Sequence, residues 1–302
     1  EGITAALALS PAATDNCTLA PTKVLVSDVT TADANCTNAY VRVRTWNFTD
    51  GCGNTSANFV QTITVIDNTA PVVTTTAASL NQTLQCNNTE GITAALALSP
   101  AATDNCTLAP NKVLVSDVTT ADANCTNAYV RVRTWNFTDG CGNTSANFVQ
   151  TITVIDNTAP VVTTTAASLN QTLQCNNTEG ITAALALSPA ATDNCTLAPT
   201  KVLVSDVTTA DTNCTNAYVR VRTWNFTDGC GNTSANFVQT ITVIDNSAPT
   251  FTTPADITIS SDENCLADIS TSSTGTVTNI QDNCDSNPLA TYVDSECFGS
   301  FD

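Results

Sequence analysis

"AYVRVRTWNFTDGCGNTSANFVQTITVI" spans Ala128–Ile155, and its reading decides the fold. Tyr129, Arg131, Arg133, Trp135 and Phe137 fall on one face of the first run, and Val130, Val132 and Thr134 on the other. That period of two belongs to a β-strand. The closing run, "FVQTITVI", is rich in β-branched residues and reads as a second strand. Between them lies a stretch of Asp, Gly, Asn and Ser, the residues of turns.

Outward from this segment the chain repeats. "TWNFTDGCGNTS" occurs at Thr45, Thr134 and Thr223, and "EGITAALALSPAATDNCTLAP" begins at Glu1, Glu90 and Glu179, so the period is 89 residues. The copies differ little: Thr22 becomes Asn111 and then Thr200, and Ala34 and Ala123 become Thr212. A divergent copy starts near Ser247 with "SAPTFTTPADITISSDENC". Units of this size bury a small core of their own, which makes an array of domains rather than a solenoid. The expected divisions are a partial unit 1–67, full units 68–156 and 157–245, and a divergent partial unit 246–302.

Within the second unit, strands are expected at about Ser79–Gln85, Ile92–Leu98, Lys112–Val118, Ala128–Phe137 and Phe148–Ile155, with a short edge strand at Val161 or its equivalents. "GITAALALS" has helical propensity but is short, carries Thr and sits between Asn-rich and Pro-rich breakers, so it is assigned as strand. The fold class is all-β: a tandem array of small disulfide-stapled, immunoglobulin-like antiparallel sandwiches of about six strands each.

Composition narrows the function. The chain has 14 Cys, no His and no Met, with nine Lys plus Arg against 27 Asp plus Glu, for a net charge of −18. Nucleic acid and anionic membrane surfaces need clustered cations and are excluded as partners. With no Met and no apolar run near 18 residues, the chain reads as an internal fragment without a signal segment or spanning helix. Cysteine at recurring spacings, without histidine or CxxC pairs, points to disulfides in an oxidising, extracellular compartment rather than zinc. No nucleophile has a base: His is absent and Lys is limited to Lys23, Lys112 and Lys201. The chain is not expected to be an enzyme, and no catalytic residue is assigned.

An up-and-down strand order places alternate cysteines at opposite ends of each unit. Cys125 and Cys141 flank a strand of about ten residues, roughly 33 Å long, which no disulfide spans. The expected pairs are Cys86–Cys125, Cys106–Cys141, Cys17–Cys52, Cys175–Cys214, Cys195–Cys230 and Cys265–Cys297. Cys36 and Cys284 are left without partners. Cys86–Cys106 stays open if the loop at Pro100 folds back.

Acidic loops recur with the cysteines. "TDNC" carries Asp15 and Asn16, Asp104 and Asn105, Asp193 and Asn194, with Asp282 in the fourth copy; "TDGCGN" carries Asp50 and Asn54, Asp139 and Asn143, Asp228 and Asn232. The linker "VIDN" carries Asp67 and Asn68, Asp156 and Asn157, and Asp245. The strand order brings all three elements to the end where the preceding linker enters. Such oxygen ligands suit Ca²⁺, the one cofactor expected, at about 10⁻⁴ to 10⁻³ M as in extracellular modules. The alternative is that these residues form only Asx turns and a stiff Pro-containing connector.

Trp46, Trp135 and Trp224 lie either in the core, in a ladder with the neighbouring Arg, or on a carbohydrate platform. Asn47, Asn54, Asn81 and Asn87 begin Asn-x-Ser/Thr triplets open to glycosylation.

Taken together, "TDNC", "TWNFTDGCGN" and "QTITVIDNTAPVV" resemble the HYR-like, immunoglobulin-related repeats of very large secreted surface proteins of the Bacteroidota, gliding-motility adhesins of the type IX system among them. The resemblance implies an extracellular stalk or filament used in adhesion or gliding. It also implies a first-to-last-strand bridge, although Phe148 stands near the place of the family's further Cys. The expected partners are neighbouring repeats, surface glycans or other copies in a filament. A lectin-like repeat array is the alternative function.

Overall fold

A computed structural model describes residues 2–17, 19–264 and 266–293. Two compact units divide the chain, Glu1–Asp156 and Asn157–Asp302. In the second repeat the elements are β1 (Val72–Val73), β2 (Gln82–Gln85), α1 (Thr89–Ala97), β3 (Ala102–Thr103), β4 (Asn111–Ala121), β5 (Tyr129–Thr138) and β6 (Phe148–Ile155). The main sheet is ordered β2-β6-β5-β4, and β1 pairs with β3 in a second, smaller sheet. The third repeat builds the same sheet from Gln171–Gln174, Phe237–Ile244, Tyr218–Thr227 and Thr200–Ala210. The first repeat contributes Thr22–Ala32, Tyr40–Thr49 and Phe59–Val65, and in the fourth Thr250–Thr252 pairs with Thr278–Gln281. The all-β, sandwich-like architecture is therefore as the sequence implies.

The stretch assigned as strand over Ile92–Leu98 is helical. Its sequence, "TEGITAALA", is dominated by Ala and Leu, strong helix formers. Asn88 caps it, its side chain accepting from the Gly91 amide at 2.9 Å, a stabilisation of about 1 kcal/mol. Thr93 adapts by donating its hydroxyl to the Thr89 carbonyl at 2.8 Å. The helix buries Ala95 against Ile152 and Val154, with Leu84, Ile92, Leu96 and Tyr129 around them. The burial of Ala95, with Ile92 and Leu96 partly covered beside it, outweighs the local breakers.

Two further details depart from the expected pattern. β2 holds four residues rather than seven, because residues before it form turns, Asn81 donating its amide to the Ala78 carbonyl at 3.0 Å. It also runs parallel to β6, so the sheet is mixed.

Inward-facing residues of β6 are Phe148, Gln150, Ile152 and Val154, all buried. Gln150 is fully shielded and tied on three sides. Its amide donates to the carbonyls of Leu80 at 2.9 Å and Ala95 at 3.0 Å, and its oxygen accepts from Arg133 Nη1 at 3.2 Å. Arg133 also donates to the Leu96 carbonyl at 2.8 Å, placing a cation at the C-terminal end of α1 where it offsets the helix dipole. The Arg133 guanidinium carbon stands 4.5 Å above the Trp135 ring. That ring is 3% exposed and tilts against Phe148 with centroids 6.3 Å apart. Trp46 and Trp224 are equally buried. The tryptophans thus serve the core and the Arg ladder, and the carbohydrate platform is withdrawn.

The cysteine partners differ from those expected. Cys36 bonds Cys141, with Cα atoms 3.9 Å apart, and Cys175 bonds Cys284. Cys17, Cys52, Cys106 and Cys214 are thiols. These facts displace the pairs Cys17–Cys52, Cys106–Cys141 and Cys175–Cys214, and they give Cys36 and Cys284 partners. The reason is geometric: within each compact unit, cysteines of two successive repeats meet at one place, the first and second repeats at Cys36 and Cys141 and the third and fourth at Cys175 and Cys284. Cys86, Cys125, Cys195 and Cys230 are also disulfide-bonded. The pair Cys265–Cys297 lies outside the described residues.

Candidate functional site

Three of the acidic residues singled out in the sequence converge within the first unit. Asp67 comes from the linker, Asp104 follows β3, and Asp139 follows β5. One oxygen from each lies within 4.8 Å of the other two.

Local turn chemistry positions each carboxylate. Asp139 Oδ1 accepts from the amides of Cys141 and Asn143, both at 2.8 Å, while Oδ2 accepts from Asn143 Nδ2 at 2.8 Å. The turn closes through Gly142 at φ 88°, a left-handed conformation that Gly adopts without strain. Asp104 Oδ2 accepts from the amides of Cys106 at 2.9 Å and Thr107 at 2.7 Å. The two loops are joined where Gly140 donates its amide to Thr107 Oγ1 at 3.1 Å. Asp67 Oδ1 accepts from the Thr69 amide, and its backbone carbonyl accepts from Asn143 Nδ2, both at 3.1 Å. These are the Asx turns that composition suggests, and they leave one oxygen of Asp67 and one of Asp104 unused.

Those two atoms, Asp67 Oδ2 and Asp104 Oδ1, expose less than 1 Å² each and accept no hydrogen bond from an N–H or O–H group. Asp139 is buried. Burial pushes its carboxyl up, but the Asn143 side chain and the amides of Cys141, Asn143 and Gly142 together hold it below the usual carboxylate range. The neighbouring Cys106 thiol is pushed up by burial first, then by the charges of Asp67 and Asp104 and by its hydrogen bond to the Asp67 carboxylate. No counter-cation joins the cluster among the described ion pairs. Arg42 and Arg44 pair with Asp28, and Arg131 and Arg133 with Asp117.

The preceding repeat closes over the same place. Cys36 is bonded to Cys141, and Asn38 Nδ2 donates to the Cys106 carbonyl. Thr37 sits so near Gly140 that a Cβ there would meet its Oγ1 at 2.8 Å. Thr37, Asn38, Thr107 and Gln150 were not found by sequence reasoning. Gln150 alone carried a signal, as a polar residue on the inward register of an apolar strand.

Elsewhere the same turns recur. Asp50 accepts from the Cys52 and Asn54 amides and from Asn54 Nδ2, and it lines a shallow cavity with Asp15 and Asn54. Asp193 accepts from the amides of Cys195 and Thr196, and Asp228 from those of Cys230 and Asn232. In the fourth repeat Asp282 accepts from Cys284 and Asp285. Asp245 Oδ1 accepts from the Ser247 amide, and Asp245 groups with Cys175 and Cys284 rather than with Asp282. Asn16, Asn68 and Asn105 are exposed, with Asn105 donating to Cys106 Sγ at 3.0 Å. In the third repeat Asn194 donates likewise to Cys195 Sγ at 3.0 Å. Asp156 is buried, and Asp156 and Asn157 stand on either side of the division between the two units.

Residues 2–65, 74–154 and 163–243 each match the family described as HYR-like domain with 4 cysteines. No curated protein sequence matches the chain. Among solved structures, Drosophila N-cadherin EC1-4 is similar at 13% identity and a TM-score of 0.22, covering 80% of this chain and 72% of that one. PcdhgB3 EC1-4 gives 12% identity and a TM-score of 0.28, covering 80% and 70%. The sialic acid binding region of the Streptococcus sanguinis SK1 adhesin gives 14% identity and a TM-score of 0.19, covering 68% and 56%.

Proposed function

The chain belongs to the family of HYR-like domains with four cysteines, and on that premise we propose that it is a load-bearing segment of an extracellular adhesive array. The observation that carries this reading is the bond between Cys36 and Cys141. It lies in parallel with the linker between the first and second repeats, so tension along the chain meets a covalent clip before the linker can extend. Disulfides of this kind persist in oxidising, extracellular surroundings. Among the described residues no helix is long and apolar enough to cross a membrane.

The finer assignment, to a large surface adhesin of the Bacteroidota working as a stalk or filament in adhesion or gliding and exported by the type IX route, rests on the motif resemblance. Nothing in the geometry favours the lectin-like alternative, because the three tryptophans face inward. Electron-microscopic imaging of the native protein tests the array: thin fibres with a repeat of roughly 35–40 Å, the length of an 11-residue strand, are expected. Compact globular particles would overturn it.

A further inference from the structure

Asp67 Oδ2 and Asp104 Oδ1 are shielded carboxylate oxygens with no N–H or O–H donor, the Cys106 thiol beside Asp67 being a weak and uncharged one, and Asp139 adds a third carboxylate oxygen within 4.8 Å of both. Each carboxylate is held by backbone amides through its other oxygen, so none can swing out to water without breaking its turn. An anionic group taken out of water without compensation is costly, and three together repel one another. A cation from solution would compensate all three, and among the described ion pairs no arginine does so, Arg42 and Arg131 being engaged with Asp28 and Asp117.

We propose that Asp67, Asp104 and Asp139 hold one Ca²⁺ ion, which ties the linker to the second repeat. The donors are hard oxygens, which exclude the soft metals. Their mutual separation does not exceed the diameter of a Ca²⁺ shell, about 4.6–5.2 Å for ligands at 2.3–2.6 Å. Mg²⁺ is a poorer fit, because it demands ligands near 2.1 Å in a strict octahedron and keeps its waters. Asp67 belongs to the linker and Asp104 and Asp139 to the repeat. The ion therefore fixes the linker's exit beside the Cys36–Cys141 bridge. The array reading stands or falls separately, on the imaging described above.

The test uses the whole chain, stripped with EDTA and titrated with CaCl₂ alone by calorimetry, beside Asp67→Asn, Asp104→Asn and, as a control in an exposed turn, Asp122→Asn. Wild type is expected to bind in the range of about 10⁻⁴ to 10⁻³ M typical of extracellular modules, with a rise in melting temperature that MgCl₂ does not reproduce. Asp67→Asn and Asp104→Asn each lose one bound ion per chain or weaken it at least tenfold, and Asp122→Asn does neither. Near-ultraviolet circular dichroism of the buried tryptophans confirms that each variant is folded before its titration is read. An unchanged ion count in both cluster variants, or no heat at millimolar CaCl₂, overturns the site.

Discussion

Replacing Gln150 by Leu keeps the volume of a buried side chain and removes every polar bond it makes. Three groups then lose a partner: the Leu80 carbonyl, the Ala95 carbonyl and Arg133 Nη1. Ala95 still accepts from the Leu98 amide at 3.3 Å and Arg133 still donates to Leu96 at 2.8 Å, so those losses are ordinary bonds of about 1 kcal/mol each. The Leu80 carbonyl loses its Gln150 donor in the interior, at about 1–3 kcal/mol. Together the change costs about 3 kcal/mol, roughly a hundredfold in the folding equilibrium of that repeat. With an m-value of about 1.5 kcal/mol/M for a small domain, its urea midpoint falls by about 2 M. Tryptophan fluorescence sums three reporters, Trp46, Trp135 and Trp224, one in each of three repeats, so early loss of the second repeat shows as a separate step in the curve. The expected result is a split transition, with the Trp135 signal lost first and the others unmoved. A Gln150→Leu chain melting in step with wild type would refute the network as a source of stability, and would mean that α1 finds its C-terminal partners elsewhere.

Acid should loosen the sheet. Asp117 and Asp206 are held below the usual carboxylate range first by their hydrogen bonds to Arg131 and Arg220. A group depressed in the folded state lends its stabilisation above its unfolded pKa, about 3.9, and loses it as pH falls through the lower folded value. Denaturation titrated downward from pH 5 is expected to steepen below about pH 4, and less so in Asp117→Asn. Peptide mapping without reduction is expected to recover Cys36 linked to Cys141, with Cys36→Ser leaving Cys141 reactive to alkylation; a Cys106–Cys141 peptide in wild type would reverse the assignment. Gly142→Ala has open space around the added Cβ but a φ of 88°, so it is expected to cost about 1 kcal/mol through backbone conformation alone, measured as a lower melting temperature of the second repeat.

Strands with a marked pattern were legible at the level of single residues. β6 runs from Phe148 to Ile155 as expected, because its alternation matches a sheet buried on one face. The helix over Thr89–Ala97 was misread because Asn88 looked like a breaker when it is a cap, an ambiguity inherent to Asn, which serves both roles. Only the core settles it: Ala95 beneath the helix meets Ile152 and Val154 from a strand more than fifty residues away. The mixed strand order was hidden for the same reason. A parallel pair between β2 and β6 leaves no local trace, since its connection contains the rest of the repeat.

The acidic cluster was legible where the cysteine partners were not, and the difference is one of competition. Asp67, Asp104 and Asp139 follow from topology alone, for any strand order that returns those loops to the linker end brings them together, whatever the neighbouring repeat does. A disulfide needs more, because it chooses one partner among several thiols at the same end. Cys106 and Cys141 share that end as the strand order implies, yet the turn of the preceding repeat also arrives there. Its Asn38 bonds the Cys106 carbonyl and its Cys36 takes Cys141. At this junction a pairing rule confined to a single repeat leaves out Cys36, the sulfur that Cys141 takes. On the load-bearing role proposed above, the same contact is what would make the bridge mechanically useful, since only a partner from the neighbouring repeat can share the load on the linker.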